Sequence, residues 1–188
     1  MIEHVVLVDE ENVVLGTAPK LESHHERTPL HRGFSVFLFN GSGELLMQQR
    51  SGSKKTWPLV WSNSCCGHPM LGESVVDAAV RRMADELGLR GVAPRVVVPF
   101  YRYRHEKDGV VENEICPVMV AFADCEPVPN AGEVESTRWV PWEGFLRMTT
   151  SDAGLSPWCV DEAVLLARSE LFDGLYRGHC RPALAQTG

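Results

Sequence analysis

The sequence predicts an α/β domain in which a mixed β-sheet is covered by helices on both faces. Three observations predict it. Apolar runs of strand length alternate with segments of helical periodicity, turn signals separate them, and no repeat, low-complexity tract or linker interrupts the 188 residues. A hydrophobic content of 44% and a charged content of 23% are ordinary for a globular chain, which at this length buries a core without disulfides or structural metal. One domain over residues 1–188 is expected, with 177–188 as a tail whose Pro182 and small residues allow fraying.

The elements follow in order. His4 to Asp9 and Asn12 to Gly16 read as a short hairpin around Glu10-Glu11. Gly33 to Phe39 is a continuous apolar run of strand length, and Asn40-Gly41-Ser42-Gly43 turns it into a second strand, Glu44 to Arg50. A helix opens at Glu73-Ser74, with Asp77 completing a capping-box variant. Val76, Val80, Met83 and Leu87 lie at helical spacing along it, and Gly88 closes it. Arg82 and Glu86, four apart, share another face. Val96 to Arg104, Glu114 to Ala123 and Ser136 to Val140 are strand-like. Pro141 to Met148 is a short helix, and Ser156 opens a final helix reaching about Leu171.

Charge and cysteine usage exclude several classes. A formal charge of -7 argues against nucleic acid as a general partner and against a polybasic membrane patch, so an anionic substrate must be met by local clusters of Arg and Lys. No apolar run approaches the ~20 residues that span a bilayer. Met1-Ile2-Glu3-His4 carries no basic leader. Six cysteines without C-x2-C spacing read as reduced thiols, consistent with a cytoplasmic protein.

The most informative stretch is Asn63-Ser64-Cys65-Cys66-Gly67-His68-Pro69, which leads through Gly72-Glu73 to Arg81, Arg82, Asp85, Glu86 and Gly88. The string from Gly67 resembles the Nudix box, whose carboxylates on one helix hold Mg2+ against a diphosphate. Here Arg82 stands where the box has Glu, Asp85 is a shorter acid, and Glu86 alone of that trio is unchanged. Losing metal carboxylates while gaining a cysteine points to the fold being kept for other chemistry.

The resemblance then becomes closer. Ser62 to Pro69, Ser53-Lys54-Lys55-Thr56-Trp57-Pro58, Tyr101-Arg102-Tyr103-Arg104, Val111-Glu112-Asn113-Glu114-Ile115-Cys116-Pro117 and Ser156-Pro157-Trp158 occur in the order of the type I isopentenyl diphosphate isomerases. Similarity to that family covers nearly the whole chain, from His4 to the C-terminal helix. It implies a Nudix-type α/β/α sandwich and interconversion of isopentenyl and dimethylallyl diphosphate. A small-molecule isoprenoid diphosphate is then the partner, and a monomer or weak homo-oligomer is expected. Ser62 replaces the family's usual Thr, and Cys65 puts a second thiol in its variable slot.

His24 and His31 flank a polar loop, His68 lies two residues past Cys66, and Glu112 and Glu114 alternate on an extended segment so that both face one way. Three imidazoles with two carboxylates suit Mn2+ or Zn2+ more than Ca2+. The resemblance implies that these positions form one metal site, with His25 a bystander. His4, His105 and His179 have no motif support. It also implies that Glu86 helps bind Mg2+ together with the substrate diphosphate and water. Without that role, Glu86 is a surface acid paired with Arg82. Lys20, Arg50, Lys54 and Arg82 match positions that contact phosphate oxygens, and Lys55 is a solvated neighbour.

Moving a double bond by one carbon adds a proton at C4 and removes one at C2, with a tertiary carbocation at C3 between the steps. That requires two proton carriers on opposite faces of a dry pocket. Cys66 and Glu114 are the candidates, with the order of acid and base open, and Tyr103 is placed to hydrogen-bond the glutamate. Trp158 is the candidate cation stabiliser, since an indole face offers about 0.5–2 kcal/mol to a cation. Trp61 is placed in the same pocket, and Trp57, Trp139 and Trp142 are structural. The remaining cysteines are small buried hydrophobes. Two other readings are a divergent Nudix pyrophosphohydrolase and a non-catalytic Nudix-like ligand or metal sensor.

Overall fold

A computed structural model describes residues 3–151 and 153–181. Its centre is β4 (Phe34–Phe39), whose six residues are all buried. A strand reads as a continuous apolar run when both of its faces are covered, and β4 shows why. Phe34, Val36 and Leu38 join Leu46, Ala79, Met83 and Leu87 in one cluster. Phe37 and Phe39 join Leu45, Met47, Phe145, Trp158 and Phe172 in another. Each buried side chain of this size contributes about 1.5–3 kcal/mol, so β4 is the seam between two cores.

The chain forms β1 (His4–Val8), β2 (Val14–Pro19), α1 (Lys20–Ser23), β3 (His31–Arg32), β4, β5 (Glu44–Arg50), β6 (Trp61–Ser62), β7 (Cys65–Gly67) and α2 (Val75–Leu87). There follow β8 (Arg95–Val98), β9 (Arg102–Lys107), β10 (Val110–Ile115), β11 (Val118–Phe122), β12 (Val134–Pro141), α3 (Trp142–Met148), α4 (Pro157–Ala167) and α5 (Glu170–His179). The strands make two sheets rather than the single mixed sheet expected. One runs β2-β1-β3-β10-β9; the other runs β12-β5-β4-β11-β8, with β6 and β7 paired to β5 and β4. Helix α2 covers one face of the second sheet, and α3, α4 and α5 cover the other. The α/β/α layering holds.

Prolines account for most boundary differences. The predicted strand Val96 to Arg104 breaks after Val98, where Pro99 has no N–H to continue the ladder. The predicted strand Glu114 to Ala123 breaks at Cys116-Pro117, and its halves join different sheets. The second hairpin strand begins at Val14 rather than Asn12, which takes φ 63° in the turn. The final helix divides because Ser169 accepts the Phe172 N–H and caps a new helix. Helix α5 carries Arg177 and His179, so the expected tail is ordered that far; its remainder, 182–188, lies outside the described residues.

Helix α2 is bounded as its sequence predicts. Ser74 accepts the Asp77 N–H and donates its hydroxyl to the Asp77 carboxylate. Gly88 ends the helix at φ 69°, its N–H reaching the Ala84 carbonyl while Leu89 bonds to Met83. Among the described residues no helix is long and apolar enough to cross a membrane, and all six cysteines are free thiols.

Gly88→Ala should lower unfolding stability by about 1–2 kcal/mol, because an L side chain at this φ is strained. Its Cβ would also meet Val128 Cβ at 3.1 Å. A lower urea midpoint at unchanged m-value is expected, and an unchanged midpoint would contradict the cap.

Candidate active site and metal centre

Sheet register builds the heart of the site. Glu114 on β10 stands opposite His31 on parallel β3 and opposite Tyr103 on antiparallel β9. Three side chains from three strands therefore share one row. His24 follows α1, and His68 follows β7, whose Cys66 pairs with Ser35 of β4.

The three imidazoles pack against one another with ring centroids 5.0, 5.6 and 5.1 Å apart. One nitrogen of each, with a Glu114 oxygen, lies within 4.8 Å of all the others. His24 turns Nδ1 to the Lys20 carbonyl at 2.8 Å and His31 turns Nδ1 to the Pro29 carbonyl at 2.9 Å. Backbone carbonyls thus fix the ring orientation and leave each Nε2 facing inward, as metal-ligating histidines require. His31 Nε2 is fully buried without a hydrogen-bond partner, a costly arrangement unless something else occupies that lone pair. Gly33 adds a second indication, since a Cβ there would overlap the Glu114 carboxylate. These residues fit a divalent cation with nitrogen and oxygen ligands. Glu112 stands beside this tight group, its carboxylate 3.2 Å from His24 Nε2.

Charge states follow from these contacts. Burial pushes His68 down to about 4, which the Glu114 contact only partly offsets. The imidazole is therefore neutral at physiological pH, the form that binds metals. Burial opposes ionisation of Glu114, but the close approach of His31 and His68, at 3.4 and 3.0 Å, prevails and holds it well below the usual carboxylate range. His24 and Glu112 behave as a pair: burial opposes both charges, while their mutual hydrogen bond raises the histidine and lowers the glutamate. Glu114 is shared between two sides. Its Oε1 lies 3.0 Å from His68 Nε2, and its Oε2 accepts the Tyr103 hydroxyl at 2.9 Å.

Beside this cluster opens a cavity of about 510 Å³, whose lining includes Cys66, His68, Tyr103, Glu114 and Trp158. The neighbouring thiol of Cys65 points the other way, into the α2 core, because successive strand residues face opposite sides. Strand alternation thus separates the two thiols, Cys66 lining the cavity and Cys65 lying in the core. Cys66 donates its S–H to Asn63 Oδ1 at 3.1 Å. Burial pushes this thiol up to about 12, so it holds its proton at neutral pH. Trp158 packs edge-on to Trp57 and parallel to Tyr103, giving the cavity an aromatic wall. Trp61 is not in that wall; its ring takes the Arg138 guanidinium at 4.1 Å instead.

Lys20, Arg50, Lys54, Arg82 and Glu86 also line this cavity. Arg82 is buried, donating to Glu86 Oε1 at 3.0 and 2.5 Å and reaching Glu133 at 3.1 Å and Glu3 at 3.2 Å. Lys54 pairs with Glu133, and Lys20 with Glu3 at 2.7 Å. Glu86 is buried rather than the surface acid of the bland expectation. Arg50 donates to the Thr56 and Trp57 carbonyls, gripping a loop where Trp57 adopts φ 45°, and stands 5.8 Å over the Trp158 ring. Lys55 reaches the Leu21 carbonyl at the cavity mouth. His25 accepts the Arg27 N–H and stays outside the imidazole group, as the sequence suggests. Glu3, Glu133 and Glu162 escaped sequence reasoning; none lies in a motif, and only folding brings them to the cations or the thiol. The remaining box contact is Glu73 with Arg81, bidentate at 2.8 Å.

The NUDIX domain family matches residues 29–159. Among solved structures, one from Deinococcus radiodurans superposes with a TM-score of 0.69 at 22% identity, covering 89% of this chain and 99% of its own. A MutT protein from Methanosarcina mazei gives 0.60 at 19% identity, covering 78% and 95%; at such identities the likeness concerns the fold alone. Sequence relatives are nearer. The isopentenyl-diphosphate Delta-isomerase of Saccharopolyspora erythraea is 47% identical over 84% of this chain and 82% of its own length. The enzyme of the same name from Mycolicibacterium vanbaalenii is 42% identical over 87% and 91%. With the cysteine, the imidazole cluster and the cationic cavity in place on this fold, the chain belongs to the Nudix family and, within it, to the isopentenyl-diphosphate Delta-isomerases.

Proposed function

We propose that this chain interconverts isopentenyl and dimethylallyl diphosphate by proton addition and removal, supplying isoprenoid precursors. The observation that carries this reading is that Cys66 and Glu114 line one cavity together with Tyr103, Trp158 and four cations. Cys66 enters as a neutral thiol able to give a proton, and Glu114 as a carboxylate able to take one. Running the reaction backwards exchanges the roles. Tyr103 holds Glu114 Oε2 and steers the carboxylate. The ring of Trp158 faces the cationic C3 centre without offering a nucleophile to trap it. Burial of the site keeps water from adding to that carbon.

His24, His31, His68, Glu112 and Glu114 would hold a Mn2+ or Zn2+ ion, which when bound supplies a fixed positive charge favouring ionised Glu114. Glu86 would share Mg2+ with the substrate diphosphate. In the free protein Glu3 and Glu133 neutralise Lys20, Lys54 and Arg82. The incoming diphosphate replaces those carboxylates on the same cations. The partner is this small anion rather than nucleic acid or a membrane surface, and the chain acts in the cytoplasm as a monomer or weak homo-oligomer. Diphosphate hydrolysis is disfavoured because Arg82 stands where the box has a metal carboxylate.

Incubating the protein with isopentenyl diphosphate and Mg2+ in deuterated water, followed by NMR, should yield dimethylallyl diphosphate carrying deuterium. Cys66→Ala should reduce this by about a thousandfold or more, the upper range for one proton-transfer group, with metal content unchanged. Unaltered substrate from the folded, metal-loaded parent would overturn the reading, and near-normal turnover by the variant would remove Cys66 from it.

A pH dependence also follows for metal-free protein. The pKa of His68 falls from 6.5 in the unfolded chain to about 4 in the fold. Below about 6.5 the unfolded chain therefore binds the proton first. Stability is full above that pH and is lost on acidification down to about 4, on the order of 3 kcal/mol. Glu112 and Glu114, also lowered, add losses of the same sign at more acidic pH. Urea midpoints of chelator-treated protein should fall from about pH 7 to about pH 5, and His68→Asn should flatten that decline. A parent midpoint independent of pH would contradict the neutral imidazole.

A further inference from the structure

Near Cys66, and not among the residues that line the cavity, lies a carboxyl that the reaction scheme leaves unused. Glu162 sits four residues after Trp158 on α4 and is completely buried. Among the described residues it has no ion-pair partner, and its Oε2 has no hydrogen-bond partner. Its Oε1 accepts from the Cys116 thiol at 3.6 Å. Cys116 Sγ lies 3.5 Å from Ser35 Oγ, and Ser35 Oγ lies 3.4 Å from Cys66 Sγ. Three short steps thus join the carboxyl of α4, through β4, to the proposed proton carrier on β7.

An isolated buried carboxylate is too costly to persist, so such a group keeps its proton. The charged groups acting on Glu162, Glu114 from β10 and Asp161 beside it on α4, are acids and reinforce the neutral form. Burial first, and then those acids, hold it well above the usual carboxylate range, while Ser35 and Cys116 oppose this only in part. The hydrogen-bond directions are constrained in turn. With the Cys116 proton spent on Glu162 and the Cys66 proton on Asn63 Oδ1, the Ser35 hydroxyl is left to donate to one of the two sulfurs beside it. Asn63 is itself locked, its amide N–H groups committed to the Val36 and Cys65 carbonyls.

We propose that Glu162 is a positioning residue for the thiol: a neutral carboxyl that anchors Cys116 and, through Ser35, holds Cys66 Sγ in the orientation it needs to exchange a proton with substrate. This rests on Cys66 being the proton carrier. An apolar residue here would leave the Cys116 thiol without an acceptor and free the Ser35 hydroxyl to turn. Glutamine would preserve a neutral acceptor of the same length.

The test measures kcat and KM for Glu162→Gln, Glu162→Leu, Ser35→Ala and the Leu/Ala double variant, alongside Cys66→Ala. Glu162→Gln should keep kcat within about threefold of the parent. Glu162→Leu should lower kcat by about tenfold to a hundredfold, the range expected of a misplaced reacting group, at unchanged KM. The double variant should be no slower than the slower single variant, because both break one chain. An infrared difference spectrum between the parent and Glu162→Gln should show a protonated carboxyl band at neutral pH, a readout that serves even where the Leu variant does not fold. Unimpaired kcat in folded Glu162→Leu, equal loss in the Gln variant, additive effects, or absence of that band would each overturn the proposal. Normal turnover by Cys66→Ala would instead remove the reading on which it rests.

Discussion

The Glu114 carboxylate faces two kinds of partner at once, and the rest of the site is arranged around that division. One oxygen looks into the triangle of His24, His31 and His68; the other takes the Tyr103 hydroxyl at the cavity wall. Neither contact depends on a flexible loop. Parallel pairing of β3 with β10, and antiparallel pairing of β9 with β10, put His31, Glu114 and Tyr103 in a single row. The row needs room, and Gly33 leaves it by having no Cβ beside the carboxylate. A one-residue slip of register would turn Glu114 to the opposite face of the sheet. The strand pairing of the smaller sheet is therefore also what fixes the chemistry.

The second sheet provides the counterpart. Its central strand β4 is buried on both faces, and Cys66 is carried on β7, which pairs directly with it. The two sheets meet where the chain passes from β3 to β4 at Gly33 and from β10 to β11 at Cys116-Pro117. Cys66 and Glu114 thus approach one cavity from different sheets. In that cavity, acids already pair with the cations that would greet a diphosphate. A protein of net charge -7 can hold this concentration of Lys and Arg in place because Glu3, Glu86 and Glu133 neutralise it before substrate arrives.

Much of this was legible in the sequence. The motif around Cys66-Gly67-His68-Pro69, the i, i+2 pair Glu112 and Glu114, and the capped helix with Gly88 at its end all carry their geometry in their spacing. The division into two sheets was not legible, because the apolar run from Glu114 to Ala123 looks continuous and only tertiary pairing shows that Pro117 sends its halves apart. Glu162 was hidden for a related reason. On a helix of exposed and buried positions it reads as a solvated acid, and only the packing of α4 on β4 reveals it as a buried one. Glu3 and Glu133 belong to no motif and meet Arg82 across 79 and 51 residues of chain, respectively. The Trp61 expectation failed because a bulky aromatic near a motif can as readily pack beneath a surface arginine as line a pocket.

The central claim is that one carboxylate serves both the metal cluster and proton transfer. It is tested most directly by measuring bound Mn2+ or Zn2+ and deuterium incorporation together in Glu114→Gln. Glutamine keeps the size and the Tyr103 contact but cannot carry the negative charge. The account predicts that metal affinity falls by about tenfold or more and that deuterium incorporation is lost in the same preparation, with the fold intact. Metal binding retained while turnover disappears, or turnover retained while the metal is lost, would separate the two roles and contradict it.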